Sequence, residues 1–393
     1  MKLPAKCQSG ALWLLILAFT LALGVSLAIA AQKQKLPKPR ILEHEIRISR
    51  DAATGEMRAL PGGESESSGP VPVIRSRVAL VEVQCTVTAP DGTRVRGLTQ
   101  DDFRVWEDGA EQKVSAFDAA ATPASIALVI DASPSIYREL RDMRSVAQSL
   151  TQSLQPADEV AVVAFADQTE VLLPFSRDRN LLNAALTSPE LAHVANSSQS
   201  LIYQAAYLTA LRLFDARPGR KAIVLLTDGQ DSGLGLTWDP QSMMPAAGAN
   251  KSLTFQDVAR EIGASGVELH VISTEPRPKA MTDDWLSAHL EQSLVTPASR
   301  RLGIPLYTLY LAELVRQIGG DLYFLREVGS LAEIYRTIAL KLEAEYTLGY
   351  YPAAGVAKAG WRKLRVELRE GAQVPANSRI AYRTAYYVPA SSR

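Results

Sequence analysis

Ile126-Ala127-Leu128-Val129-Ile130-Asp131-Ala132-Ser133-Pro134-Ser135 opens as an apolar run and closes on an Asp followed by Ser at alternate positions. A second apolar run, Ala222 to Leu226, ends in Thr227-Asp228-Gly229. Short continuous apolar runs of this kind read as strands buried on both faces. Each delivers a carboxylate at its carboxyl end, where open α/β sheets place their ligand sites. An Asp with two nearby hydroxyls is a cluster of hard oxygen donors. Such donors suit Mg2+, which keeps several waters and takes one or two carboxylates. A cradle of this type leaves a position for an oxygen from elsewhere. The same residues also have a purely structural reading. Asp and Ser are ordinary helix caps, and Ser135 would then cap a helix from Ile136 to Leu154.

Outward from these runs, residues 120–343 alternate between strand and helix patterns, the signature of an α/β domain with a mostly parallel, doubly wound sheet. The strand at 124–131 leads into a stretch with Ile136, Leu140, Met143, Val146, Leu150 and Leu154 at helical spacing. Val160 to Phe165 and Thr169 to Phe175 are strands whose connection is too short for a crossover, so they form a hairpin. A helix is expected after Ser200, then a strand at 221–227, a helix at 254–264 and a strand at 267–274. A helix at 308–318, a strand from Asp321 to Leu325 and a helix from Ser330 to Leu342 close the domain. Two insertions, 230–252 and 275–306, leave carboxyl ends of strands and so belong near the oxygen cluster, and Asp231 and Ser232 at the start of the first read as a turn. Long loops are either functional or unstructured linkers, and both readings stand for these two.

The flanks read as β structure. Residues 74–118 form a small module: Val78 to Val87 alternates, Phe103 to Glu107 is a second strand, and Asp108-Gly109 turns into a strand from Gln112 to Phe117. Residues 344–393 return to strand patterns and hold Tyr346, Tyr350, Tyr351, Tyr382, Tyr386 and Tyr387, which read as sheet aromatics filling a core. These strands are expected to complete the module begun at 74, making a β-sandwich-like unit with the α/β domain inserted in it. Residues 32–73, rich in Pro, Gly and Ser at 61–70, read as a flexible tether with a short strand from Ile41 to Ser49. His44 in that tether is expected to face solvent.

The D-x-S-x-S of Asp131, Ser133 and Ser135, with Thr227-Asp228-Gly229 a hundred residues later, resembles the metal-ion-dependent adhesion site of von Willebrand factor type A domains. The family places a third element between them, a Thr opening a helix. Here the match is Ser200 in Ser200-Leu201-Ile202-Tyr203-Gln204-Ala205, where Ser keeps the hydroxyl and loses a methyl, with neighbouring Ser197 and Ser198 as alternatives. The resemblance implies that Ser133, Ser135 and Ser200 bind Mg2+ directly (Mn2+ or Ca2+ are alternatives), with Asp131 and Asp228 acting directly or through water. It also implies that an Asp or Glu carboxylate of a partner protein fills the open position. With Leu98-Thr99-Gln100-Asp101-Asp102-Phe103, Glu107-Asp108-Gly109 and Tyr346-Thr347-Leu348-Gly349-Tyr350, the likeness extends over residues 75–388 to the VWA-domain-related proteins first catalogued in acidobacteria.

Composition bounds the remaining choices. With 393 residues and 47% hydrophobic content the chain supports two or three compact units. Residues 1–31 hold Lys2 and Lys6 and no acid, so the rest carries 40 basic and 42 acidic residues, and no nucleic-acid partner is expected. Those residues read as an export signal: a basic start, an apolar stretch from Ala11 to Ala31, and Ala28-Ile29-Ala30 as a small-x-small cleavage site. The stretch is also just long enough for an uncleaved anchor. Either reading puts the body outside the cytoplasm. Cys7 precedes the apolar run, which is the wrong place for a lipoprotein cysteine, and Cys85 alternates with apolar neighbours as a core thiol. His44, His193, His270 and His289 lack zinc-ligand spacing. G-x-S-x-G, P-loop and G-x-G-x-x-G motifs are missing, so no enzyme is expected. Two alternatives remain: a metal-independent structural protein of the envelope, and phosphoester hydrolysis at a metal held by Asp131 and Asp228.

Overall fold

The computed structural model describes residues 36–42, 46–50, 57–61, 80–91, 93–119, 123–136, 138–192, 199–214, 217, 219–234, 237–238, 245–246, 253–289, 292–342, 346–352, 360–382 and 385–388. The chain divides into two units, residues 1–37 and 38–393. Of the first, only Leu36 and Pro37 are described. The export segment, His44, His193, Ser197 and Ser198 lie outside the described residues. Among the described residues no helix is long and apolar enough to cross a membrane.

The second unit begins with strands β1 (Arg40–Ile41), β2 (Ile46–Arg50) and β3 (Met57–Pro61), the last two forming a separate antiparallel pair. Part of the stretch read as a tether is thus ordered. β1 joins the edge of the large sheet, Arg40 opposite Val171, and Leu42 beyond it is fully buried in that sheet's core. Four strands follow: β4 (Val81–Thr88), β5 (Phe103–Glu107), β6 (Ala110–Gln112) and β7 (Val114–Asp118). Asp108 and Gly109 take φ of 48° and 85°, the left-handed pair that a tight two-residue hairpin requires, and they join β5 to β6. The single strand expected from Gln112 to Phe117 is broken at Lys113. β6 stays with β5, while β7 crosses to the opposite sheet, which lets one short run edge both layers.

The α/β domain runs through β8 (Ala124–Asp131), helix α1 (Met143–Ser153), β9 (Glu159–Phe165), β10 (Thr169–Ser176), α2 (Arg179–Leu186), α3 (Ile202–Leu213) and β11 (Arg220–Thr227). It continues through β12 (Thr237–Trp238), β13 (Pro245–Ala246), α4 (Phe255–Ser265), β14 (Glu268–Ser273), α5 (Asp283–Ala288), α6 (Pro297–Arg301) and α7 (Leu306–Ile318). It ends in β15 (Leu322–Phe324), α8 (Leu325–Val328) and α9 (Leu331–Lys341). The sheet order is β1-β10-β9-β8-β11-β14-β15, parallel from β9 to β15, with β10 antiparallel as the short hairpin requires. All eight residues of β8 are buried. Ala127 and Val129 face a core shared with α3, α4 and α7, while the alternate residues Ile126, Leu128 and Ile130 are buried on the other face. This is the mostly parallel, doubly wound α/β sheet read from the sequence.

Two expectations are corrected here. The helix expected from Ile136 begins only at Met143. Pro134–Ile136 and Glu139–Asp142 are tight 3-10 turns instead, with Ile136 N–H donating to Ser133 O at 3.3 Å. Ile136 is fully buried, and Ser135 lies inside a 3-10 turn and caps no α-helix. The insertion 275–306 is no unstructured linker. Met281, Leu294 and Ile304 pack with Leu309 of α7 and Phe324 into a satellite core. In the insertion 230–252, residues 230–234 fold back on the strand end and β12 pairs with β13, the intervening residues being outside those described.

The chain closes with β16 (Tyr346–Tyr350), β17 (Gly360–Leu368), β18 (Arg379–Tyr382) and β19 (Ala385–Val388). β16 inserts between β4 and β7, and β17 pairs with β5, giving two four-stranded sheets, β18-β4-β16-β7 and β19-β17-β5-β6. Val83, Cys85, Phe103, Val105, Tyr346, Leu348 and Tyr350 fill the space between them. Burial pushes the Cys85 thiol up to about 12, consistent with an inert core position. Tyr346, Tyr350 and Tyr386 are buried, whereas Tyr351 is exposed.

Candidate functional site

Strand pairing builds the site. β8 sits between β9 and β11, and the strand order runs outward to β9 and β10 on one side and to β11, β14 and β15 on the other, which makes the carboxyl end of β8 a topological switch point. The register sets Leu226 opposite Ile130, so Thr227 comes level with Asp131, and the Thr227 hydroxyl donates to Asp131 Oδ2 at 2.8 Å. The Ser200 hydroxyl donates to the same oxygen at 3.0 Å. Ser133 N–H donates to Asp131 Oδ1 at 2.9 Å, curling the chain back over the strand end. The hydroxyls of Ser133 and Ser135 lie 3.0 Å apart. Asp131, Ser133 and Ser200 are buried, while Ser135 is exposed at the mouth.

Asp228 follows Thr227 at the strand end and is 4% exposed. Its Oδ1 accepts from Gln230 N–H at 2.8 Å, and its charge reaches Asp131. Burial, reinforced by the Asp228 charge, raises the Asp131 carboxyl above its ordinary value despite the donors from Ser133 and Thr227. Gly229 takes φ of +87°, and a Cβ there would meet Leu311 Cδ1 at 2.9 Å and Tyr307 Cδ2 at 3.2 Å. The start of α7 therefore packs directly on this turn.

The structure brings Asp131, Ser133, Ser135 and Ser200 together and sets Asp228 beside them without a hydrogen bond to the hydroxyls. Two contributors were not singled out from sequence. Thr227 is one, although it directly precedes Asp228 in the strand-end motif read from sequence. Asp231, read from sequence as a simple turn residue, is the other. It accepts Tyr203 N–H at 3.4 Å and Leu234 N–H at 2.6 Å, so a loop carboxylate from outside α3 caps that helix. Ser232 N–H donates to Ser200 O at 2.8 Å, and Ser200 N–H to Ser232 Oγ at 3.3 Å. Residues 229–234 thus clamp Ser200 at the start of its helix.

The donor set consists only of oxygens: two carboxylates and four hydroxyls. Among the described residues neither Asp131 nor Asp228 has a basic ion-pair partner, and no three His, Cys, Asp or Glu side chains converge as a chelate. Two buried acids without a counter-charge are costly, and a hard dication completed by hydroxyls and water would offset that cost. The residues present fit such an ion.

The sequence of residues 126–230 matches the von Willebrand factor type A domain family. This chain carries a von Willebrand factor type A domain. The matched segment of that domain runs from β8 through Gln230 and contains all five oxygen-bearing residues expected from sequence. No curated protein matches the chain. Among solved structures, BatB from Bacteroides thetaiotaomicron is 17% identical, covering 56% of this chain and 97% of that one, with a TM-score of 0.36. A von Willebrand factor type A protein from Catenulispora acidiphila is 13% identical over 79% of this chain and 72% of its own, with a TM-score of 0.37. Proximal thread matrix protein 1 from the mussel byssus, solved with a zinc-occupied MIDAS motif, is 15% identical over 60% of this chain and 49% of its own, TM-score 0.37.

Proposed function

We propose that the A domain is a non-catalytic protein-binding module that acts outside the cytoplasm and engages a partner carboxylate through a divalent cation. Ser133, Ser135 and Ser200 would hold the ion, with Asp131 and Asp228 balancing its charge and Thr227 orienting Asp131. The ion is Mg2+ in this reading, with Mn2+ or Ca2+ as alternatives, and it would supply a Lewis-acidic position for the partner's oxygen. The observation that carries the reading is the pair of buried acids, Asp131 at 0% and Asp228 at 4% exposure, with hydroxyls around Asp131 and no basic partner among the described residues. The protein's own residues prepare the place. Thr227 and Ser200 fix Asp131 Oδ2, Ser133 N–H fixes Oδ1, and the 229–234 turn holds Ser200 against the strand end. The export reading of residues 1–31 supports a location outside the cytoplasm.

Calorimetric titration of Mg2+ and Mn2+ into the protein, beside Asp131→Ala, tests this. Saturable binding lost in the variant is expected. Absence of binding to the wild type refutes the metal reading. It would leave a domain in which Asp131 is accommodated by its hydroxyl donors alone.

A further inference from the structure

One acid near the site is not used by the oxygen cluster. Thr274 N–H donates to Thr227 O at 3.1 Å, so the chain leaving β14 runs alongside the strand end that carries Asp228. Glu275 is the next residue. It is half-buried and has no hydrogen-bond or ion-pair partner among the described residues. Arg277, two positions on, is turned away: it donates to Met281 O and pairs with Asp283 and, at 3.6 Å, with Glu327. Tyr307, half-buried in the first turn of α7, stands against Gly229, and both Glu275 and Asp228 raise its phenol above the ordinary range after burial itself. Glu275, Tyr307 and Asp228 therefore share one corner of the site mouth.

We propose that Glu275 is a selectivity residue on the rim, which favours a partner whose ligand carboxylate is flanked by Lys or Arg. The inference rests on the metal reading above. A dication balances Asp131 and Asp228 but leaves nothing for Glu275. A partner carboxylate entering this mouth meets an unpaired negative charge, and a cation beside that carboxylate relieves it. Tyr307, kept protonated, adds no charge of its own, so among the described residues Glu275 sets the sign of this corner. Rim charges act mainly on association rate and salt dependence. A single half-exposed pair supports a preference of about three- to fivefold, falling as salt is raised.

The test uses the whole protein with Mg2+ and two synthetic peptides of equal length, one with an Asp flanked by Lys and one with an Asp flanked by Glu. Biosensor binding is read with Mg2+ and with EDTA, and Mg2+ affinity is measured separately by calorimetry. Wild type is expected to prefer the Lys-flanked peptide by about three- to fivefold. Glu275→Gln should bring the ratio toward one and Glu275→Lys should reverse it, with Mg2+ binding retained in both. Mg2+ binding without a peptide preference, or a preference unchanged in Glu275→Gln, overturns the rim proposal and leaves the metal reading intact. Failure of the wild type to bind Mg2+ overturns both.

Discussion

Replacing Glu107 with Ala should destabilise the sandwich more than any other single polar change within it. Glu107, on β5, is 7% exposed, and its Oε2 accepts two phenol hydroxyls, Tyr350 at 2.6 Å and Tyr386 at 2.7 Å. Tyr350 lies on β16 in the opposite sheet and Tyr386 on β19, so one oxygen ties three strands. Tyr350 is fully buried and Tyr386 is 9% exposed. Truncation leaves two buried hydroxyls without their acceptor, at about 1–3 kcal/mol each, for a total of about 2–6 kcal/mol. Glu107→Gln keeps an acceptor oxygen and loses only the charge assistance, at about 2 kcal/mol for the two bonds. The triple variant Glu107→Leu, Tyr350→Phe, Tyr386→Phe removes the carboxylate and both phenol hydroxyls together and should recover most of the loss. Both phenols are pushed well above their ordinary range, by burial first and then by Glu107, so they remain donors and the ranking holds across neutral and mildly alkaline pH. Urea denaturation, with hydrogen exchange followed on the amides of β16 and β17, measures all three. An Ala variant no weaker than the Gln variant, or a loss below about 1 kcal/mol, would refute the shared-acceptor argument.

Gly229→Ala places a side chain at φ of +87° and against Leu311 and Tyr307, so a loss of about 2–3 kcal/mol is expected in denaturation. Weaker Mg2+ binding should accompany it in calorimetry, because Asp228 precedes the strained residue. His270 predicts a pH slope. Burial opposes its charge, but Asp321 at 3.2 Å and Glu268 at 3.6 Å outweigh burial and raise it above 6.5. Asp321 in turn is held well below its ordinary 3.8 by His270 and Lys341, against the opposing effect of burial, while Arg220 lies 3.9 Å from Glu268. The Asp321 contribution is present above about pH 4 and the His270 contribution below about pH 6.5, the latter fading as pH rises through the raised value. Melting temperatures from pH 5.5 to 9 should therefore decline more in the wild type than in His270→Gln, and parallel curves would show that His270 stays neutral throughout.

Much of the α/β domain was legible because its strands are buried on both faces and so read as unbroken apolar runs bounded by turn residues. The oxygen cluster was legible for a related reason: Asp131 and Thr227-Asp228 terminate those runs, and a strand end in a parallel sheet has a fixed place. Less visible was whatever depended on tertiary pairing. The apolar spacing after Ser135 is helical, but Pro134–Ile136 and Glu139–Asp142 fold as 3-10 turns before the helix begins at Met143. The helix Arg179–Leu186 was missed although Asp178 caps it, accepting Asn180 N–H at 2.9 Å, because its eight residues give too short a period to recognise. Asp231 was read as a turn because its role, capping α3 from another loop, leaves no local trace. The break at Lys113 between two sheets likewise follows from which strands arrive later in the chain.

The insertion of the A domain into the sandwich has a mechanical consequence. Asp118, the last residue of β7, is registered opposite Thr347 near the start of β16, so the domain hangs from two adjacent strands. Tension applied at the carboxyl end of β8 reaches the sandwich through both strands at once. β7 is an edge strand, and β16 is held on its other side by the pairs from Tyr346–Cys85 to Tyr350–Val81. For a pull along the strands that ladder is loaded in shear, with its hydrogen bonds loaded together instead of one after another. The same two attachment points restrain the domain from twisting about a single covalent link.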